Sequence, residues 1–124
     1  MAVTRTDLPR ILGDITAIAE TVESGVGYCY LGTNKGKFYK YNMATAAITT
    51  LQPLRGRLTA MLYDASTYLY IGNDQGKIYR YTVSDGTITT LYTAIDAGIL
   101  SLVLYSSTLW VGLTGGKFAS VTVS

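Results

Sequence analysis

Residues 28–51 read YCYLGTNKGKFYKYNMATAAITTL, and residues 68–91 read YLYIGNDQGKIYRYTVSDGTITTL. Eleven of the 24 aligned positions are identical, and the two stretches lie 40 residues apart. Several differences keep the chemistry, with Leu31 answered by Ile71 and Lys40 by Arg80. A third copy, TLWVGLTGGKFASVTVS, begins at Thr108, and its Gly112, Gly116 and Lys117 fall on the same grid. Such a period marks a repeat architecture: each unit is too small to bury its apolar surface alone and must stack on its neighbours.

Within the middle unit the pattern predicts four short strands, over residues 58–63, 68–71, 77–81 and 87–92. Gly72 and Gly76 bracket the turn between the second and third, and Asp85-Gly86 is a hairpin signal between the third and fourth. Tyr68 and Tyr70 point to one side of the sheet, Leu69 and Ile71 to the other. A sheet apolar on both sides must be covered on both sides, and sheets stacked around an axis meet that need.

Four strands in about 40 residues, with LYIG followed by GKIYRY, resemble a β-propeller blade. The resemblance is to the quinoprotein-type and two-component-regulator-type blades, and it covers nearly the whole chain. The Trp-Asp signature of another blade type is absent, because Trp110 precedes Val111. The resemblance implies a fold and no cofactor, since the repeat motif itself does not bind the quinone.

The first unit begins at Ile15-Thr16-Ala17, matching Leu58-Thr59-Ala60, and residues 20–27 are predicted as a long loop. The third unit begins near Ile99 and supplies three strands before the chain stops at Ser124. The fourth is expected at the other end. Thr6, Leu8, Gly13, Thr16 and Ala17 match Thr49, Leu51, Gly56, Thr59 and Ala60 at a constant offset of 43 residues. Residues 3–8 are therefore expected to act as a fourth strand. On this reading residues 14–54, 55–95 and 96–124 are three blades, and residues 1–13 are a closing strand with its linker, a complete half-ring.

Three blades cannot close, and known rings hold about four to eight. The expectation is an all-β, six-bladed propeller built as a homodimer, each N-terminal strand completing the third blade of the other copy, with a ring closed by a different half-propeller or a larger ring as the alternatives. An open arc would expose an apolar sheet face at each end and a bare strand edge.

Composition narrows the functional classes. Apolar residues make up 48% of the chain and there are 11 tyrosines, favouring strands and a sizeable core. The net charge of +2 does not call for nucleic acid. With no histidine and only Cys29, the commonest general base, the commonest metal ligand and any intrachain disulfide are missing. Cys29 aligns with Leu69 and Leu109, so a buried apolar role is expected, as is packing for Trp110, which matches Tyr30 and Tyr70. No signal peptide or membrane-spanning stretch is read at the N-terminus or elsewhere, so a cytoplasmic location is expected, and a virion component is compatible.

Charges sort by loop. Arg10, Lys35, Lys37, Arg55, Arg57, Lys77 and Lys117 are expected on one face with Asp14, Asp74 and Asp96; Glu20, Glu23, Asp64 and Asp85 are expected on the other. The function expected is a non-enzymatic binding or assembly module without cofactor or metal. Its basic face would take an anionic ligand, a glycan or an acidic protein at Arg55, Arg57, Lys37, Lys77, Lys35 and Lys117. The alternative is a lactonase- or glycosidase-like hydrolase with its site in the axial channel, which needs a metal cage or paired carboxylates.

Overall fold

A computed structural model describes residues 4–8, 10–93 and 97–123. They form eleven strands in three antiparallel sheets. Sheet 1 is β1 (Ile15–Glu23), β2 (Val26–Thr33), β3 (Phe38–Asn42) and β4 (Ile48–Thr50), in that spatial order. Sheet 2 repeats it with β5 (Leu58–Tyr63), β6 (Tyr68–Asn73), β7 (Lys77–Thr82) and β8 (Ile88–Thr93). Sheet 3 has β9 (Ile99–Tyr105), β10 (Thr108–Leu113) and β11 (Phe118–Thr122). Outside the β1–β2 hairpin, strands start within a residue of the positions expected from the repeat, because turn residues fix their ends.

The sheets stack face to face, with their first strands β1, β5 and β9 side by side. Between sheets 1 and 2 lies a core of Tyr30, Phe38, Leu58, Leu69, Ile71, Tyr79 and Tyr81. Between sheets 2 and 3 lies a second, of Tyr70, Ile78, Ile99, Leu109, Val111, Leu113 and Val123. The alternation of β6 explains both: Leu69 and Ile71 enter one core and Tyr70 the other.

Each seam closes on a glycine. A Cβ placed on Gly32 would stand 2.9 Å from the Leu58 Cβ, and one on Gly72 would stand 2.9 Å from the Ile99 Cβ. Both distances are below contact, so the first residue of each incoming sheet lies directly over the glycine of the sheet before it. The glycines at these positions are needed for close approach. Beside them, the Thr16 hydroxyl donates to the Leu58 carbonyl and the Thr59 hydroxyl to the Ile99 carbonyl. Thr16 and Thr59 sit where the first strand slips register against the second, a bulge that aims the side chain at the next sheet.

Residues 20–27 are not a loop. They lengthen the β1–β2 hairpin, which turns tightly at Ser24 (φ 52°) and Gly25 (φ 80°). Two successive positive φ values are what a two-residue I′ hairpin turn requires. Residues 4–8 are exposed and form no strand within the single chain. Val3, where the closing strand was expected to start, lies outside the described residues, as does Asp96. Among the described residues sheet 3 thus ends on β11, and its outer face and the outer face of sheet 1 are open. Trp110 and Phe118 are 45% and 77% exposed on the former, and Ile15 is 48% exposed on the latter. Cys29 is half-buried rather than buried, because its side of sheet 1 has no neighbour.

The seams can be probed at their glycines. Gly72→Ala should cost about 1–3 kcal/mol in urea unfolding, because the methyl must displace the β-branched Ile99. Gly27→Ala should stay within roughly 0.5 kcal/mol of the parent, since its new Cβ would meet only the flexible end of Met43, at 3.4 Å. Equal midpoints for the two variants would refute the close-seam account.

Candidate functional site

Backbone hydrogen bonds sort the turns into two faces. On one, each turn between second and third strands is tied to the approach to a first strand: Asn34 N donates to Asp14 O, Asp74 N to Arg57 O and Thr114 N to Gly98 O. On the other, each segment after the third strand is tied to the start of the second strand or the turn before it: Met43 N donates to Gly27 O, Val83 N to Thr67 O and Val123 N to Ser107 O.

Lys35, Lys37, Arg55, Arg57 and Lys117 lie in the turns of the first face or the segments that lead into its strands, and Lys77 is the first residue of β7. Arg55 and Lys77 line one open cleft of about 400 Å³, with Pro53, Leu54 and Tyr79. Lys35, Lys37, Arg57 and Lys117 are exposed and do not line it. The cleft owes its shape to Asn73, a residue that sequence reasoning passed over. Fully buried, Asn73 donates from Nδ2 to the Arg55 carbonyl at 2.8 Å and accepts from the Lys77 amide on Oδ1 at 2.9 Å. One amide side chain therefore fixes the backbone of both basic residues. In sheet 1 the same position is Thr33, whose hydroxyl accepts from the amides of Lys35 and Lys37.

The second face carries a different cluster, at the tip of the long hairpin. Glu23 Oε1 accepts from Lys40 Nζ at 2.7 Å, and Oε2 accepts from the hydroxyls of Thr21 at 2.7 Å and Tyr30 at 2.8 Å. The ammonium of Lys40 lies 4.3 Å from the centroid of the Tyr28 ring, a cation–π position. Both members of the pair are about four-fifths covered, with side-chain exposures of 22% and 19%. Lys40, carried on β3, sets its ammonium against Glu23 on the face where only acidic residues were expected. Glu20 lies within β1, directly across from Cys29.

The other carboxylates of this face are occupied by turns. Asp64 Oδ1 accepts from the amides of Ser66, Thr67 and Tyr68, and Asp85 Oδ1 from the amide of Thr87. Burial pushes the Asp64 carboxyl up, but those backbone donors outweigh it and hold it below the usual carboxylate range. Burial and its hydrogen bond to Glu23 push the Tyr30 phenol far up, so it remains a donor.

The axial side, where β1, β5 and β9 meet, is a recess of about 460 Å³. Thr16, Thr59 and Ser101 are its polar lining among apolar neighbours, and no carboxylate contributes. Among the described residues, no three His, Cys, Asp or Glu side chains converge as a metal site would require.

The Glu23 cluster sets a pH dependence. Burial raises its pKa, but the hydrogen bonds from Lys40, Thr21 and Tyr30 and the charge of Lys40 lower it further than burial raises it. A carboxyl whose folded pKa lies below its unfolded value stabilises the fold above the unfolded pKa, and that stabilisation fades as pH falls through the folded value. Stability should therefore decline in acid below the unfolded pKa of about 4.3, and Glu23→Gln should flatten that part of the profile. An identical acid limb in the variant, followed by circular dichroism, would show that Glu23 is not held as described.

No family model matches the chain, and no curated protein sequence matches it. Solved structures do. The computationally designed Ika8 protein is similar over 94% of this chain and 35% of its own, with TM-score 0.77 and 15% identity. The computationally designed Ika4 protein matches over the full length of both chains, with TM-score 0.62 and 10% identity. A chain of a mitotic checkpoint complex matches over 93% of this chain and 36% of its own, with TM-score 0.70 and 17% identity. The extracellular domain of a putative hybrid two-component system from B. thetaiotaomicron matches over 99% and 18%, with TM-score 0.65. This chain thus spans about a third of the first of these structures. At such identities the likeness is one of fold alone, and that fold is β-propeller-like.

Proposed function

We propose that the chain is a non-enzymatic half-ring, closed by a second copy into a six-bladed propeller whose basic face binds anionic partners. The observation that carries the closure is the glycine seam. It recurs wherever two sheets meet in the chain, and its two halves stand open at the ends. Gly112 is the counterpart of Gly32 and Gly72. Ile15 is the counterpart of Leu58 and Ile99, both fully buried. Trp110 and Phe118 occupy the positions that Tyr30 and Phe38 fill, fully buried, at the first seam. A second copy, placed as sheet 2 is placed on sheet 1, would lay Ile15 over Gly112 and cover the two aromatics. The same copy supplies the missing strand. Leu51 donates its amide to the Phe38 carbonyl at the end of β4. Leu8 aligns with Leu51, so its amide would donate to the Phe118 carbonyl of the second copy.

The binding role rests on Arg55 and Lys77, which share a cleft that runs along β7 and β8 as far as Gly86 and Thr87, and on Lys35, Lys37, Arg57 and Lys117 in the turns of the same face as Arg55. Two-fold pairing would double that field around the ring axis and steer anionic partners toward it in a salt-dependent way. The hydrolase alternative draws no support from the axial recess, whose lining carries no carboxylate.

Light scattering should give about twice 13.4 kDa, and Phe118→Asp should give the monomer while leaving the β-sheet signal intact. Cys29, half-buried in one chain, should resist thiol labelling in the parent and label readily in that variant. A parent that is monomeric at micromolar concentration sinks the closure. For the basic face, Arg55→Glu with Arg57→Glu should abolish retention on heparin without changing the mass; unchanged retention would remove those residues from the role.

A further inference from the structure

We infer that the cleft beneath the β1–β2 hairpin, at the seam of sheets 1 and 2, is a saccharide site that takes one uncharged pyranose per chain. The cleft measures about 570 Å³ and is walled by Glu23, Lys40, Tyr63, Ser66, Thr67 and Ser84. That volume lies inside the range of about 300–1,000 Å³ usual for small-ligand sites. It forms within a single chain and does not depend on closure of the ring.

Two departures from the repeat build it. The first is the hairpin. In sheet 2 the corresponding turn is short and capped by Asp64, whereas in sheet 1 the strands run on and carry Glu23 back over Tyr30 and Lys40. An extension confined to one unit of a regular repeat is where such proteins place their binding surface. The second is the seam lining. Tyr63, which lines the cleft, and Tyr81, which lies in the first core, correspond to Leu104 and Val121 at the second seam, by their pairing with Leu69 and Leu109. Two seams that need the same packing therefore differ in polarity, and packing alone does not require that difference.

The chemistry selects the ligand. Glu23 accepts three hydrogen bonds, one on Oε1 and two on Oε2, and an ionised carboxylate has about four acceptor positions, so one remains on Oε1. Lys40 spends one of its three N–H bonds on Glu23. A fixed acceptor beside a fixed donor suits neighbouring hydroxyls, each of which both donates and accepts. The pair is already neutralised, and Asp64 and Asp85 lie on the same face, so an anion gains little. Thr21 and Tyr30 hold the carboxylate in place before any ligand arrives, which lowers the ordering cost of binding. Tyr63 adds an aromatic wall, able to pack against the C–H face of a sugar ring while its hydroxyl stays polar.

The test is amide-shift mapping on the ¹⁵N-labelled full chain, titrated with D-glucose, D-galactose, D-mannose and N-acetyl-D-glucosamine, and separately with sodium sulfate. At tens of millimolar, at least one sugar should shift the amides of Ser24, Lys40, Ser66 and Thr67 and leave those of β10 and β11 unmoved. Tyr63→Leu, which installs the residue type found at Leu104, should weaken that binding by about tenfold or more. Ser84→Trp, a substitution at an exposed rim position, should block it without touching either core. Absence of shifts with every sugar, sugar binding that survives both variants, or shifts with sulfate alone would each overturn the assignment. Mass measured on the same samples keeps this result separate from ring closure: a monomer that binds sugar refutes only the closure, and a dimer that does not refutes only the site.

Discussion

The close approach of one sheet to the next over a glycine is the constraint on which the rest of this molecule depends. At Gly32 and Gly72 no Cβ intervenes, so the incoming Leu58 and Ile99 settle against bare backbone and are wholly buried. That spacing brings the Thr16 and Thr59 hydroxyls within reach of the next sheet's carbonyls. It also allows Tyr30 and Phe38 to meet Tyr81 edge to face, with ring centroids 5.6 and 5.3 Å away. Were the seams wider, these side chains would face voids, and each missing contact would weaken a core only two sheets deep. The same elements recur at the outer faces, where Gly112 and Ile15, the counterparts of the two halves of each seam, have no facing sheet among the described residues.

Polar groups then divide by what the seams leave uncovered. On one face buried Asn73 and Thr33 spend their side chains on turn backbone, and in doing so they set out basic residues at fixed intervals. On the other, Asp64 and Asp85 do the same for acidic turns. Glu23 is the exception, since its partners are side chains of three different strands rather than a turn's amides. A largely covered carboxylate held by Lys40, Thr21 and Tyr30 is a site of fixed geometry, whereas a turn cap is a local solution to unpaired backbone.

The fold was largely legible because the strand pattern repeats, and a repeat states each boundary more than once. Leu58, Lys77 and Ile99 were placed as strand starts or near them for that reason. What the repeat did not cover was harder to read. The run from Glu20 to Gly27 contains Glu-Ser-Gly-Val-Gly, which looks like loop. It pairs as strand because Thr21, Val22 and Val26 favour sheet and a two-residue turn suffices at Ser24-Gly25. The grid has no counterpart for these residues and could not reveal this. Cys29 and Trp110 were expected to be packed because their counterparts are; they lie on the two end faces, where one chain has no neighbour to offer. The partnership of Lys40 with Glu23 spans 17 residues and arises only when the hairpin folds over β3. Asn73 offered one faint signal: it is a polar residue at the end of an otherwise apolar strand, one that Thr33 mirrors in the unit before.

One position separates the seams inside the chain from the seam proposed between chains. The bulge residue of each first strand is Thr16, then Thr59, then Leu100. The two threonines hydrogen-bond across their seams, while Leu100 is 56% exposed. Inside a chain, the sheets that meet are tethered, and a hydroxyl that finds its carbonyl satisfies a group that folding would bury in any case. Between two chains the accounting differs. Before association both the hydroxyl and the carbonyl would be hydrated, so exchanging water for each other gains only about 0.5–1.5 kcal/mol. A leucine that leaves water gains roughly 25 cal/mol for each Å² covered, and for most of a side chain that exceeds the hydrogen bond. The replacement of threonine by leucine at the third bulge, in the sheet that also exposes Trp110 and Phe118, is therefore the change expected of the proposed seam, which would form by association rather than by folding.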